Sequence, residues 1–443
     1  MVASWTLSRD ACSTIQTSKT VSRGQMTGLV YLREEDVVEL INKPEGDHVS
    51  FGVGFEWPRE DVFHVFSRYP KVALGGRPIP VYFRVHGGRC NSIPESVQGQ
   101  AGERVPLRFL EIDLWLEDDR VHKRGKIREE SVTRECTLEY VPEQSELYSR
   151  SRGLLEIDVL GKKRVIIVGI GSFGSTIAVE LAKAGVGAFS LYDFDRLELS
   201  NVSRHAAGIS DLGRFKTHAI RDAIWNRNPF SKVDTHEIDI NEDLTAFECD
   251  CTEADLVICV TDENRSRSNV NDAALRANKA AIFGRAITRA AGGDVFRLRP
   301  GSGPCLACIQ GLGLYRANED VSSIRQARRD APAYIAPERA DTVVQVGLAS
   351  DIAPITNMVV KLALVELSRG LASGISSLKT DLTSDFFIWA NRRDGIYASW
   401  SPMEHFFSRT SVLRWYGVKA KRVEDCIVCN AEPAINHGSQ TEI

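Results

Sequence analysis

An aspartate at a strand end, Asp193, is followed at short range by Asn201, Arg204 and Lys216, and a later strand ends in a second aspartate, Asp262. Arginine and lysine placed together can stabilise negative charge that develops on a phosphate under attack. A carboxylate such as Asp262 can hold Mg²⁺. That inventory suits a nucleotide with three phosphates better than a dinucleotide. Each residue alone has an ordinary reading. Arg204 or Lys216 can be a solvated surface charge, Asn201 a turn residue, and Asp262 the cap of a helix from Glu263 to Ala274. The joint pattern is what argues for chemistry. A second constellation is sulfur. Cys305 with Cys308, and Cys426 with Cys429, form two Cys-x-x-Cys pairs that can give a four-thiolate tetrahedral zinc site. Unmetallated thiols or a redox pair are the ordinary alternatives.

The elements that must position these groups are legible. Arg164-Val165-Ile166-Ile167-Val168 reads as an apolar strand. It turns through Gly169-Ile170-Gly171-Ser172-Phe173-Gly174 into an amphipathic helix, Ser175 to Ala184. Gly169 permits the tight turn, Gly171 lets the backbone approach a phosphate, and Gly174 lets the helix sit close to the strand. The helix N-terminus offers free N–H groups and a partial positive charge to an anion. Asp193 follows about 20 residues on, where a carboxylate can accept hydrogen bonds from ribose hydroxyls. That spacing fits NAD and ATP equally. A later strand, Leu256 to Thr261, leads into Asp262.

With 443 residues, the chain has room for two or three domains. Its net charge of −4 gives no support to nucleic-acid or anionic-membrane binding through a broad basic surface. No apolar run approaches the roughly 18 residues of a membrane span, and Met1 to Gly24 lacks a signal-type apolar core, so cytoplasmic residence is the expectation. Residues 1–145 read as an α+β accessory domain without a nucleotide loop. Strand candidates there are His48 to Phe55, Val81 to Val85, Leu107 to Leu116 and Thr137 to Val141. Residues 146–443 read as an α/β domain with a mostly parallel sheet, in which the strand–helix alternation covers both faces. Gly301 to Ala340 is rich in charge, proline and glycine and reads as a long functional loop. A helical pattern returns at Ile355 to Leu367, and Phe386 to Val428 reads as short strands.

The run Asp193-Phe194-Asp195-Arg196-Leu197-Glu198-Leu199-Ser200-Asn201-Val202-Ser203-Arg204, then Gly213-Arg214-Phe215-Lys216, then Thr261-Asp262 with Arg267 and Asn271, resembles the adenylation domain of ubiquitin-activating (E1-like, ThiF/MoeB/HesA type) enzymes. The resemblance covers roughly residues 145–370 and the second cysteine pair, and leaves out residues 1 to about 140. It implies a Rossmann-like fold in which Gly169, Gly171, Gly174, Asp193 and Asp195 bind ATP. Asn201, Arg204 and Lys216 would contact the phosphates, Asp262 would hold Mg²⁺, and Arg267 and Asn271 would lie near the nucleotide. It also implies a structural zinc site made by the four paired cysteines and a crossover loop over about 309–345. Family members form homodimers or pseudodimers in which an arginine preceding the first strand enters the partner's site, and Arg150, in Tyr148-Ser149-Arg150, is the candidate.

The reaction so implied is ATP-dependent adenylation of the C-terminal carboxylate of a ubiquitin-like or sulfur-carrier protein. A bacterial ubiquitin-like conjugation pathway, in an antiphage setting, is the favoured context, with an E2-like protein as a further partner and residues 1–145 as the recruiting part. Three other readings stay open: E1-like adenylation of a peptide, small carboxylate or tRNA-linked substrate; an NAD-dependent oxidoreductase in which Lys216 and Asp262 would have no task; and a non-catalytic binding module on a degenerate nucleotide fold, which loss of motif residues would support. No cysteine lies between Ile309 and Asp425, where such enzymes often carry a thioester cysteine. Cys259 reads as core. Cys249 and Cys251 sit among acids that disfavour thiolate. Cys12, Cys90 and Cys136 fall in the unmatched part.

Overall fold

The computed structural model describes residues 28–32, 34–43, 48–57, 62–66, 77–86, 107–117, 120–129, 132–140, 147–287, 290–314, 347–393, 397–399 and 411–430. The chain separates into two compact units, 1–147 and 148–443. Cys12, Cys90 and most of the expected crossover loop lie outside the described residues. Among those described, no helix is long and apolar enough to cross a membrane.

In the first unit, β1 (Gly28–Leu32), β2 (His48–Trp57), β3 (Val62–Phe66), β4 (Arg77–His86), β5 (Arg108–Glu117), β6 (Arg120–Glu129) and β7 (Val132–Tyr140) close a barrel in the order β1-β3-β2-β4-β5-β6-β7. One described helix, α1 (Glu34–Ile41), accompanies them. The unit is thus mainly β among the described residues, where the sequence suggests a more even mixture. Alternation with period two sends Val81, Phe83, Val85, Leu110, Ile112 and Leu114 into one buried cluster with Val37 and Leu40 of α1. The opposite face of β5 carries Glu111 and Asp113. Both are fully buried under Arg84, Arg124 and Arg128, whose guanidiniums pair with them. Pairing is what makes buried carboxylates tolerable.

The second unit is an eight-stranded sheet with helices on both faces. Its strands are β8 (Arg164–Val168), β9 (Ala188–Tyr192), β10 (Lys232–His236), β11 (Leu256–Cys259), β12 (Ala281–Ala286), β13 (Gly292–Leu298), β14 (Phe386–Ala390) and β15 (Arg414–Val418). Their order is β10-β9-β8-β11-β12-β13-β14-β15, parallel from β10 to β12 and antiparallel beyond. Within the parallel part, connections run outward on one side from β8 and then restart on the other at β11. The switch point therefore lies between β8 and β11, where open α/β sheets bind their ligands.

Both faces of β8 are covered, which is why it reads as an unbroken apolar run. Val165 and Ile167 pack with α2 (Ser172–Lys183), α4 (Lys216–Trp225) and α8 (Ala349–Leu367). Ile166 and Val168 pack with α5 (Thr245–Glu253) and α6 (Asn264–Arg276) on the other side. Short helices include α3 (Leu199–Val202) and α7 (Leu306–Gly311). Arg297 on β13 is fully buried. It pairs with Glu366 of α8 at 3.2 Å and donates to the carbonyls of Leu382 and Ser384 at 2.8 Å, which fastens α8 to the antiparallel strands.

Candidate functional site

The glycine turn sits at the switch point, and each of its three glycines meets a different constraint. Gly169 has φ +89°, the left-handed region, and the backbone of Val260 and Thr261 lies against it. A Cβ at Gly174 would lie 1.9 Å from the carbonyl oxygen of Gly169, so α2 can start there only on glycine. A Cβ at Gly171 would meet nothing within 4 Å. Gly171 therefore faces open space at the N-terminus of α2, where unbonded N–H groups and the helix dipole favour an anion.

Asp193 ends the turn that leaves β9. Its Oδ2 accepts the N–H of Ile170 at 2.7 Å, and its Oδ1 accepts the N–H of Asp195 at 2.8 Å. Each carboxylate oxygen can accept one further bond. Burial raises the Asp193 carboxyl above its ordinary range, against the opposing pull of Lys216. An antiparallel bridge, Arg196 to Phe215, brings the start of α4 back beside this turn. The N–H of Lys216 donates to the carbonyl of Asp195 at 3.0 Å, and its Nζ pairs with the Asp195 carboxylate at 2.7 Å. The ammonium stem is almost buried while Asp195 is half-exposed. Lys216 is thus the first residue of a helix, beside the glycine turn and with its charge held in place.

Asn201 lies within α3 and Arg204 two residues past its end. The Asn201 side chain accepts the N–H of Glu198 at 3.1 Å, a cap at the start of that helix. Arg204 is half-buried, and its N–H donates to the Asn201 carbonyl. Asp262 is exposed just past β11, one residue beyond the Thr261 backbone that touches Gly169. Arg267, on α6 and almost fully buried, donates to the carbonyl of Thr261 and, at 3.0 Å, to Asn264. It holds the turn that presents Asp262. Asn271 points elsewhere: its Oδ1 accepts the N–H of Leu306 at 2.9 Å, beside the cysteines. Arg150 is exposed, in a turn anchored by Tyr148, whose hydroxyl donates to the Ala182 carbonyl at 3.1 Å. Burial raises that phenol to about 12. The anchor lies at the far end of α2 from the glycine turn, about 15 Å away at 1.5 Å per helical residue.

Two contacts carry no signal in the sequence pattern. His205 bonds to the Ile170 carbonyl at 2.8 Å and receives the N–H of Ala207 at 3.0 Å. Asn241, in the loop after β10, donates to Glu263 at 3.1 Å and accepts from Asn269 at 3.0 Å, tying that loop to α6. Both depend on loops meeting across the strand ends. The one available hint was that His205 directly follows Arg204.

The four cysteines converge. Cys305, Cys308, Cys426 and Cys429 place their sulfurs within 4.8 Å of one another, with separations of 3.7 Å (305 to 308), 3.6 Å (305 to 426) and 3.6 Å (308 to 429). Four thiolates bound about 2.3 Å from one tetrahedral ion lie about 3.8 Å apart, so the set fits a metal such as zinc. Burial would raise the Cys426 thiol, but backbone N–H groups of Cys429 and Val428 outweigh it and bring the thiol to about 7. Two other cysteines differ. Burial raises Cys259, and burial with Asp250 and Glu248 raises Cys251 to about 12.

The same geometry has relatives among known proteins. A sequence profile of the ThiF family matches residues 147–388. The chain is 31% identical over 186 residues to the adenylyltransferase and sulfurtransferase MOCS3 of Dictyostelium discoideum, a match over 41% of this chain and 42% of that one. It is 28% identical over 166 residues to ubiquitin-like modifier-activating enzyme 5 of Caenorhabditis elegans, over 35% of this chain and 40% of that one. The chain spans less than half the length of these curated relatives. A solved structure of Escherichia coli MccB with MccA-N7isoASN aligns with a TM-score of 0.44 at 20% identity, over 62% of this chain and 69% of that one.

The glycine geometry separates two substitutions. Gly174→Ala should destabilise the second unit by about 2–3 kcal/mol, because the new methyl meets backbone that cannot step aside. Gly171→Ala should change stability by less than about 1 kcal/mol. Urea unfolding of both variants checks this, and equal destabilisation would contradict the assignment of Gly171 to open space.

Proposed function

Because the chain belongs to the ThiF family, we propose that it adenylates the C-terminal carboxylate of a ubiquitin-like or sulfur-carrier protein. The observation that supports this reading is the glycine turn at the switch point between β8 and β11, with Asp262 just past the Thr261 that packs on Gly169 and Lys216 close to the Asp193 that holds Ile170. The relatives, one an adenylyltransferase and sulfurtransferase and one a ubiquitin-like modifier-activating enzyme, support the substrate class.

ATP is read as lying with its phosphates over the N-terminus of α2, close to Gly171, and with its ribose hydroxyls on Asp193. Lys216, Arg204 and Asn201 face the phosphates. Asp262 would hold Mg²⁺, which when bound offsets phosphate charge. The carrier's carboxylate, already ionised, attacks the α-phosphorus. A new acyl oxygen–phosphorus bond forms, the bond to the bridging oxygen breaks, and that electron pair leaves with pyrophosphate. No proton changes hands, so no general base is required, and catalysis rests on positioning and positive charge. The acyl group then passes to a thiolate on another protein: a carbon–sulfur bond forms, the acyl–phosphate bond breaks and AMP leaves with that electron pair, an E2-like acceptor being the fitting kind. The barrel unit would recruit the carrier. Zinc in the cysteine cluster would close the far end of the sheet. In a homodimer Arg150, whose neighbour Tyr148 is anchored at the far end of α2 from its own glycine turn, would serve the partner's site.

Calorimetric titration should show saturable binding of ATP–Mg²⁺, weakened at least about tenfold by Asp262→Ala, with no binding of NAD⁺. Binding of NAD⁺ without ATP would sink the adenylation reading and promote the oxidoreductase one. Elemental analysis should find about one zinc per chain, and chelation or Cys305→Ala should lower Tm by roughly 5 °C or more. A protein free of zinc with unchanged Tm would rule out a structural metal. Sedimentation should give about twice the 49.1 kDa chain mass. In that dimer Arg150→Ala should weaken ATP binding about tenfold. A monomer with full affinity would remove the arginine supplied in trans.

A further inference from the structure

We propose that His205 is the positioning residue of the phosphate turn, and that it fixes the direction of the Gly171 N–H only while its ring is neutral. The proposal rests on the ATP reading above.

Both ring nitrogens are committed. The Ala207 N–H donates to Nδ1 at 3.0 Å, so Nδ1 carries no hydrogen. The hydrogen is therefore on Nε2, which donates to the Ile170 carbonyl at 2.8 Å. One neutral tautomer satisfies both bonds, and no other protonation state does.

Ile170 stands between Gly169 and Gly171, with its side chain fully buried. Its N–H goes to Asp193 at 2.7 Å and its carbonyl goes to His205. The Ile170 carbonyl and the Gly171 N–H belong to one planar peptide and point in opposite directions. Fixing the carbonyl therefore fixes the direction of the Gly171 N–H, at a residue whose Cβ position is open space. The following residue adds a staple, since the Ala206 N–H donates to Ser175 Oγ on the first turn of α2 at 3.2 Å. One segment thus holds the turn, the helix start and Arg204 in a single arrangement.

The charges facing the ring oppose each other. Lys216 at the start of α4 disfavours a cation, as does the positive N-terminus of α2. Asp211 favours one, and Asp193 lies on the far side of Ile170. Burial is the largest influence and, against the opposing effect of the bond to the Ile170 carbonyl, holds the imidazole below its ordinary value. At neutral pH the ring is uncharged. As pH falls through the lowered value, a proton on Nδ1 would confront the Ala207 N–H, and the ring must leave its position. ATP binding should therefore weaken on the acid side, not the alkaline side.

Two variants separate the bonds. In glutamine the side-chain nitrogen sits as many bonds from Cα as Nε2 does, so His205→Gln can keep the donor to Ile170 and cannot titrate. His205→Asn supplies an acceptor at the Nδ1 position and loses the reach to Ile170. The experiment is calorimetric titration of full-length protein with ATP–Mg²⁺ at pH 7.5 and 5.0, with Tm measured beside it. Wild type should bind more weakly at pH 5.0 than at pH 7.5, and His205→Gln should lose less than about half as much on a logarithmic scale. His205→Asn should bind about tenfold more weakly than wild type at pH 7.5, the worth of one good hydrogen bond. An acid dependence in His205→Gln equal to that of wild type overturns the proposal, as does wild-type affinity in a folded His205→Asn. Should His205→Asn not fold, the pH profile of His205→Gln decides alone. A wild type that binds no ATP at either pH overturns the adenylation reading, a result distinct from wild type binding with unaffected variants.

Discussion

The site depends on one close approach, that of α2 to the turn leaving β8. A helix can begin against Gly169 only if Gly174 has no Cβ, since that atom would lie 1.9 Å from the Gly169 oxygen. This contact sets where the helix N-terminus points. Everything else is arranged around the result: Asp193 and His205 grip Ile170 from two sides, and Thr261 packs against Gly169 so that Asp262 emerges beside the same turn. Neighbouring strands lie only about 4.8 Å apart, so residues just past β8, β9 and β11 meet without any long side chain having to reach. Proximity comes from strand order, and orientation comes from backbone hydrogen bonds.

The second unit was legible because its strands are buried on both faces. Continuous apolar runs such as Val165 to Val168, punctuated by glycine and aspartate, leave little choice of structure, and the helical pattern at Ile355 to Leu367 extends to Ala349–Leu367 as α8. The barrel was only partly legible. Its β2, β4, β5 and β7 overlap the four strand candidates, whereas β1, β3 and β6 gave no usable pattern. Strand β6 shows the reason. Arg120-Val121-His122-Lys123-Arg124-Gly125-Lys126-Ile127-Arg128-Glu129 has too few apolar residues to display period two, yet it pairs along its length with β5. Its outward arginines are explained by Glu111 and Asp113 on the neighbouring strand, which no local window contains.

Within the candidate site, residues tied to strand ends could be read, and residues tied to tertiary contacts could not. Gly169, Gly171, Gly174, Asp193 and Asp262 follow from position on an element. Arg267 and Asn271 share a helix face four residues apart, yet one braces the Asp262 turn and the other braces α7 beside Cys305. Spacing alone cannot separate those duties, because the difference lies in what each end of α6 meets. The cysteine pairs were legible in kind, since Cys-x-x-Cys is a local geometry. Their convergence to sulfur separations near 3.6 Å depends on β13 and β15 bringing distant segments together.

The charge arrangement adds a constraint on how such a site works. Lys216 stands as a paired ammonium, held by an Asp195 that is itself half-exposed. A lone buried ammonium would cost several kcal/mol, while a fully buried pair would resist giving up its partner. The half-exposed aspartate lies between these limits. It stabilises the lysine, and under the proposed reading water would solvate the carboxylate if the ammonium turned toward a phosphate. Lysine, with three donors on a flexible stem, can keep one bond to Asp195 while offering the others. An arginine here would fork both oxygens of the carboxylate and surrender them less readily. The residue types at 195 and 216 therefore suit a positive charge that is in place beforehand and free to move a short distance, which is what charge developing on a reacting phosphate requires.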